Sequence, residues 1–199
     1  MDKPHKEDCR PAWLSGPGLL LVLILLVWPG PGQGAEFVAR MVLNDAGKLV
    51  LGRIYVKGDK LRHEFVDERG HTVTIVRQDK KVIWVVLPPK KVYVEMPLRQ
   101  ELPGQFLQVP RHYVKKRRVC VETVSGYPVE RIQLLVPGSL GPVVKTYWVS
   151  WKLGLPLKME CRERKFSVEY KDIREGPVAD RLFEVPPGFR KLTRPTGLL

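Results

Sequence analysis

From Glu36 to Ile173 polar and apolar side chains alternate with a period of two, the spacing that sends successive residues to opposite faces of a strand. Gly52, Ile54 and Val56 alternate with Arg53, Tyr55 and Lys57; Leu61, His63 and Phe65 then alternate with Lys60, Arg62 and Glu64. Gly58-Asp59 between the two runs marks a tight hairpin turn. Another turn at Glu68-Arg69-Gly70 leads to Val73 and Ile75, which alternate with Thr72 and Thr74. The run Val82-Ile83-Trp84-Val85-Val86-Leu87 has no polar side, so both faces of that strand should be covered. Pro88-Pro89 ends it, and Val92 to Met96 resumes the alternation.

Five further strands are predicted near 117–124, 129–136, 143–151, 157–164 and 166–173, separated by turn signals such as Ser125-Gly126, Pro137-Gly138 and Gly154. No segment longer than about two turns carries a 3.6-residue apolar stripe, and Pro97, Pro103, Gly104 and Pro110 limit any helix between 97 and 113. Pro177 suits the first position of a short helix ending near Leu182. Short, evenly spaced strands of this kind predict one mostly β domain arranged as an antiparallel meander.

Ahead of the strands, Leu19 to Val27 reads LLLVLILLV. The run is well short of the ~20 residues that cross a bilayer core as a helix. Trp28-Pro29-Gly30-Pro31-Gly32 then stops a helix, and Gly32 and Gly34 are small residues at −3 and −1 for cleavage before Ala35. A signal peptide helix over 1–34 is therefore expected, with the working domain at 35–199, exported to the periplasm or the extracytoplasmic face of the membrane. An uncleaved anchor over 13–28 is the other arrangement the run allows. Lys3, Lys6 and Arg10 are balanced by Asp2, Glu7 and Asp8, so the net charge of +13 belongs to the mature part. That charge favours anionic partners, an anionic membrane surface among them. Export argues against nucleic acid, and no feature specifies an oligomeric state.

A sheet apolar on one face must bury it, under a second sheet or by curling on itself. The facing candidates include Leu61, Phe65, Ile75, Trp84, Val86, Val94, Tyr147 and Met159. The pattern suits a filled core or a half-open barrel whose missing apolar partner is an acyl chain.

The stretch GRIYVKGDKLRHEF followed by RQDKKVIWVVLPPKKVYVEM resembles the periplasmic lipoprotein-carrier (LolA-like) superfamily, and more closely its outer-membrane lipoprotein-sorting relatives. Gly52, Lys57, Asp59, Lys60 and Arg62, then Asp79, Lys81, Trp84 and Pro88, match two motifs of those relatives; Tyr147-Trp148-Val149-Ser150, Gly154-Leu155-Pro156 and Leu182 to Phe189 match their closing motifs. The resemblance implies a single curved antiparallel sheet, an incomplete β-barrel with one or two short helices. Its concave apolar face would hold the acyl chains of a lipid or lipidated protein, lined by the eight residues above. Arg62 matches a family arginine that hydrogen-bonds toward a helical lid, a task suited to a guanidinium that presents five donors and stays charged. The chain departs from the family in lacking a long first helix and in reducing the lid to 97–113. A role as envelope sensor or interaction protein, contacting a membrane-anchored regulator or an anionic surface, is the alternative.

Catalysis, a metal and a cofactor are not expected. His63-Glu64 opens like a zinc-protease motif but lies on a strand with no second His at i+4, and no CxxC, phosphate loop or G-x-S-x-G elbow occurs. His63 falls on an apolar strand face, where a satisfied core imidazole is expected. Cys120 and Cys161 lie three strands apart in a plain meander, roughly 14 Å at ~4.8 Å per strand, too far for a disulfide unless strong curvature or a non-sequential strand order brings them together.

Overall fold

The computed structural model describes residues 34–67, 70–99, 106–138 and 141–192. Residues 1–33 of the expected signal peptide (1–34), the turn residues Glu68-Arg69 and residues 100–105 of the proline-broken stretch lie outside the described residues.

Among the described residues twelve strands form one open, curved sheet. In chain order they are β1 (Glu36–Asp45), β2 (Lys48–Lys57), β3 (Lys60–Asp67), β4 (Gly70–Arg77), β5 (Val82–Leu87), β6 (Val92–Pro97), β7 (Lys115–Val124), β8 (Tyr127–Val136), β9 (Val143–Ser150), β10 (Leu155–Cys161), β11 (Phe166–Glu175) and β12 (Arg190–Leu192). Two 3-10 turns, Pro88–Lys90 and Asp180–Phe183, are the helical elements among the described residues. The sheet runs β12-β6-β5-β4-β3-β2-β1-β11-β10-β9-β8-β7 and does not close into a barrel.

That order corrects the plain meander. The first strand does not sit at an edge: β1 pairs with β2 on one side and with β11 on the other, joining two consecutive meanders at the middle of the sheet. The short β12 pairs in parallel with β6. Cys120 on β7 and Cys161 on β10 still have two strands between them, and no disulfide joins them.

The registers show which residues share a face. Val38, Tyr55, Arg62, Ile75, Trp84 and Glu95 stand opposite one another across six strands; one residue along, Phe37, Val56, Leu61, Val76, Ile83 and Met96 form the neighbouring row on the other face. The second row belongs to a large buried cluster that also holds Ile132, Leu134, Tyr147, Met159 and Val168 from the other half. Side chains from strands far apart in the sheet meet there, so this is the concave, inner face. The first row belongs to a smaller cluster of Val73, Ile75, Trp84 and Val86 with Val178 and Phe183. Residues 177–189 cross this outer face as a strap. The all-apolar strand β5 is thus covered twice, by Ile83 inward and by Trp84 and Val86 outward.

Candidate functional site

At one end of the concave face lies a cavity of about 320 Å³. Its walls include Val56 and Leu61 on β2 and β3, Leu155 and Tyr170 on β10 and β11, and Phe106 and Leu107 from the connection between β6 and β7. Each strand contributes through its inward alternate residues, which is why the lining is mostly apolar. Asp59 and Gln78 add polar groups at the rim, beside Gly34 and Gly58.

Phe106 and Leu107 form a plug. Both are buried, at 4% and 7% exposure, and both pack into the inner core. The Leu107 amide donates to the Tyr170 hydroxyl oxygen at 2.9 Å. Tyr170 lies wholly inside, and burial pushes its hydroxyl pKa well above the usual tyrosine range. It is a neutral anchor for backbone that belongs to no ladder.

Beside the plug sits His63, 2% exposed. Its ring stacks on Phe65 at 5.1 Å between centroids and meets Phe106 edge-on at 6.2 Å. Neither ring nitrogen has a hydrogen-bond partner among the described residues. Burial therefore drops its pKa from 6.5 to about 4, because the charged form would be desolvated with nothing to compensate it. Gly52 makes the space: a Cβ there would lie 2.4 Å from His63 Nε2. The expected core histidine is thus buried as read, but unsatisfied.

The outer face is built differently. Cations on β2, β3 and β4 and in the next turn hold the strap through its carbonyls and carboxylates. Lys57 donates to the Val178 carbonyl at 3.1 Å and to Asp180 at 3.0 Å, and Lys60 reaches Asp180 at 2.7 Å. Lys60 and Lys57 hold the Asp180 carboxyl down at about 2. Arg62 donates to the Leu182 carbonyl at 2.8 Å and pairs with Glu64 at 2.6 Å. Arg77, buried, donates to Asp79 at 2.6 Å, to the Phe183 carbonyl at 3.4 Å and to Glu184. Its hydrogen bonds hold Asp79 at about 2. Arg62 therefore ties down the closing strap, on the face opposite the plug, rather than the 97–113 connection.

The predicted lining residues divide between the two faces. Leu61, Tyr147 and Met159 join the inner core. Phe65 follows His63 on the inner side of β3, and Val94 shares the inner side of β6 with Met96. Ile75, Trp84 and Val86 do not share that face: strand alternation turns them outward under the strap, where Trp84 Nε1 donates to Glu95 at 2.9 Å. Of the eight, Leu61 walls the cavity. The pattern missed Phe106, Leu107 and Tyr170; its one clue was a Phe-Leu pair between prolines in a stretch otherwise free of strand signals. Among the described residues no cluster of three or more His, Cys, Asp or Glu is placed to hold a metal.

No protein-family model matches the chain, and no curated protein matches it in sequence. Among solved structures it is similar to an uncharacterized conserved protein from Thermus thermophilus, at 12% identity and a TM-score of 0.56, over 80% of this chain and 90% of that one. It is also similar to MucB, at 15% identity and a TM-score of 0.51, over 78% of this chain and 58% of that one. MucB in complex with MucA(peri) aligns at 14% identity and a TM-score of 0.51, over 80% and 57% of the two chains. The chain thus spans less than two thirds of MucB. These likenesses are of fold alone, a curved sheet that does not close into a barrel.

Proposed function

We propose that the protein is an extracytoplasmic, non-catalytic binding protein that takes the apolar chain of a lipid or lipidated protein into the concave face of its sheet. The observation that carries this reading is the cavity of about 320 Å³ next to a plug that is not part of the sheet. That volume falls at the lower end of the roughly 300–1,000 Å³ usual for small-ligand pockets, enough for part of an acyl chain. Movement of Phe106 would extend it along the inner face. Each methylene buried adds about 0.8 kcal/mol, so eight of them would contribute roughly 6 kcal/mol. The Leu19–Val27 run with its small residues before Ala35 supports the extracytoplasmic setting, and the want of a recognised nucleophile or acid–base motif supports a role without catalysis.

The test is native mass spectrometry of the full chain for co-purifying lipid, followed by titration with a fluorescent sixteen-carbon fatty acid. Leu61→Trp, which fills the cavity wall, should weaken uptake at least tenfold while leaving a folded β-sheet spectrum. Absence of lipid together with no fatty-acid binding overturns the reading.

A second reading, an interaction protein for a protein partner or an anionic surface, is supported by the likeness in fold to MucB, which is found in complex with MucA(peri), and by the +13 charge. Attachment to anionic vesicles that persists unchanged at 1 M salt, where screening shortens to about 3 Å, counts against its electrostatic form.

A further inference from the structure

We propose that the outer edge of β7 accepts an added strand from an acidic, extended polypeptide segment. The inference stands apart from the concave cavity, and either can fail alone. As the last strand of the sheet, β7 pairs with β8 on one side only. Its other edge therefore presents backbone N–H and C=O groups with no strand among the described residues to take them. Strand addition at such an edge is an established mode of peptide recognition, with affinity from the main chain and selectivity from side chains.

The side chains at this edge state the selectivity. Lys115, Lys116, Arg117 and Arg118 are consecutive and all exposed. Arg118 pairs with Glu130 at 2.9 Å; Lys115, Lys116 and Arg117 have no acidic partner among the described residues. Lys115 and Arg117 stand opposite Leu135 and Gln133, whereas Lys116 and Arg118 stand opposite Leu134 and Ile132 of the inner core. Two cations therefore project to each side of the sheet. A flat anionic membrane would engage one of those sides. A strand laid in the plane of the sheet meets both, which favours the polypeptide. The same charge repels a second copy of this edge, so the occupant is not another molecule of this chain. A register shift beyond Arg118 interrupts the ladder and increases the local twist, which confines the regular cationic stretch to 115–118. Val114 and Val121, exposed at 65% and 58%, flank it with apolar contact area.

The test uses the full chain and a labelled peptide, Thr-Val-Glu-Glu-Glu-Glu-Val-Thr, followed by fluorescence anisotropy. Two control peptides accompany it. One replaces the glutamates with glutamines; the other is N-methylated at its two central glutamates, which removes a donor from each edge of the extended peptide. Both should bind at least tenfold more weakly than the parent. The double variant K115E/R117E, checked for an unchanged β-sheet spectrum, reverses the charge on one side of the edge and should bind the acidic peptide at least tenfold more weakly. Three results overturn the proposal: no binding of the parent peptide, equal binding of the N-methylated form, or capture of phosphatidylglycerol vesicles in place of the peptide. The peptide controls leave the protein untouched, so the test survives a variant that does not fold.

Discussion

His63 is the residue at which sequence, packing and pH meet. Gly52 opens a space that a Cβ would fill, Phe65 and Phe106 enclose the ring, and its pKa falls to about 4 because neither nitrogen is paired. In the unfolded chain the imidazole titrates near 6.5. Between those two values the unfolded state holds a proton that the folded state lacks, so stability falls as pH drops from 6.5 to 4, by about 3 kcal/mol in all. Above 6.5 the group contributes no pH dependence. Asp79 and Asp180, held at about 2, act in a separate, more acid window. The variant His63→Leu should therefore flatten urea-derived stability between pH 6.5 and 4 and lose nothing at pH 7. Parallel losses in variant and wild type would remove His63 as the cause. Tyr170→Phe probes the adjoining contact: it leaves the buried Leu107 amide without its acceptor, a cost of about 1–3 kcal/mol. Faster hydrogen exchange at that amide, with exchange in β11 unchanged, is the expected local signature.

Among the elements, the strap over residues 177–189 is held by two kinds of force. Phe183, wholly buried, and Val178 close the outer core, and truncating Phe183 to alanine should cost about 3–5 kcal/mol. The cations position the strap more than they stabilise it. Asp180 is exposed, and exposed ion pairs contribute little. Its carboxyl pairs fully above its ordinary pKa and is lost as pH falls through about 2, so strap contacts with Lys57 and Lys60 weaken only in strong acid. Arg62 is less exposed and bonds a backbone carbonyl. The substitution Arg62→Leu should accordingly raise proteolytic cleavage within 177–189 while leaving the Phe106 segment protected; equal cleavage in both places would mean that Arg62 supports the whole sheet. The strands β1 to β11 were legible in the alternation, and β5 was legible as covered on both faces, because those signals are local; the three-residue β12 is too short to show a period. The pairing of β1 with β11 was not: it joins residues more than 120 positions apart, and side-chain period does not encode partner choice. Without registers, Ile75, Trp84 and Val86 could not be separated from Leu61, since a one-residue shift exchanges faces. Arg77 gave no signal at all, because an arginine ending a strand reads as exposed until something crosses over it.

For the whole molecule, the decisive arrangement is a sheet that curls without closing. Two meanders meet along β1 and β11, and their inward side chains form one core across the hollow. An open sheet of this shape leaves part of that core to be completed by something other than strands. Phe106 and Leu107 fill the place here, and an apolar ligand in the adjoining cavity would compete for the same walls. Stability and binding should then respond to Phe106→Ala in opposite directions. Losing the ring should lower unfolding free energy by about 3–5 kcal/mol, because the surrounding strands relax only partly. The vacated volume joins the cavity of about 320 Å³, so fatty-acid affinity should rise. Bound ligand should then restore stability by mass action, by about 2.7 kcal/mol when present at a hundred times its dissociation constant. Thermal melts of wild type and variant, each with and without fatty acid, decide the matter. A larger ligand-induced rise in the variant is the result expected of a plug that stands in for cargo. A variant that melts early and gains nothing from ligand would make Phe106 ordinary core, and the concave face a filled one.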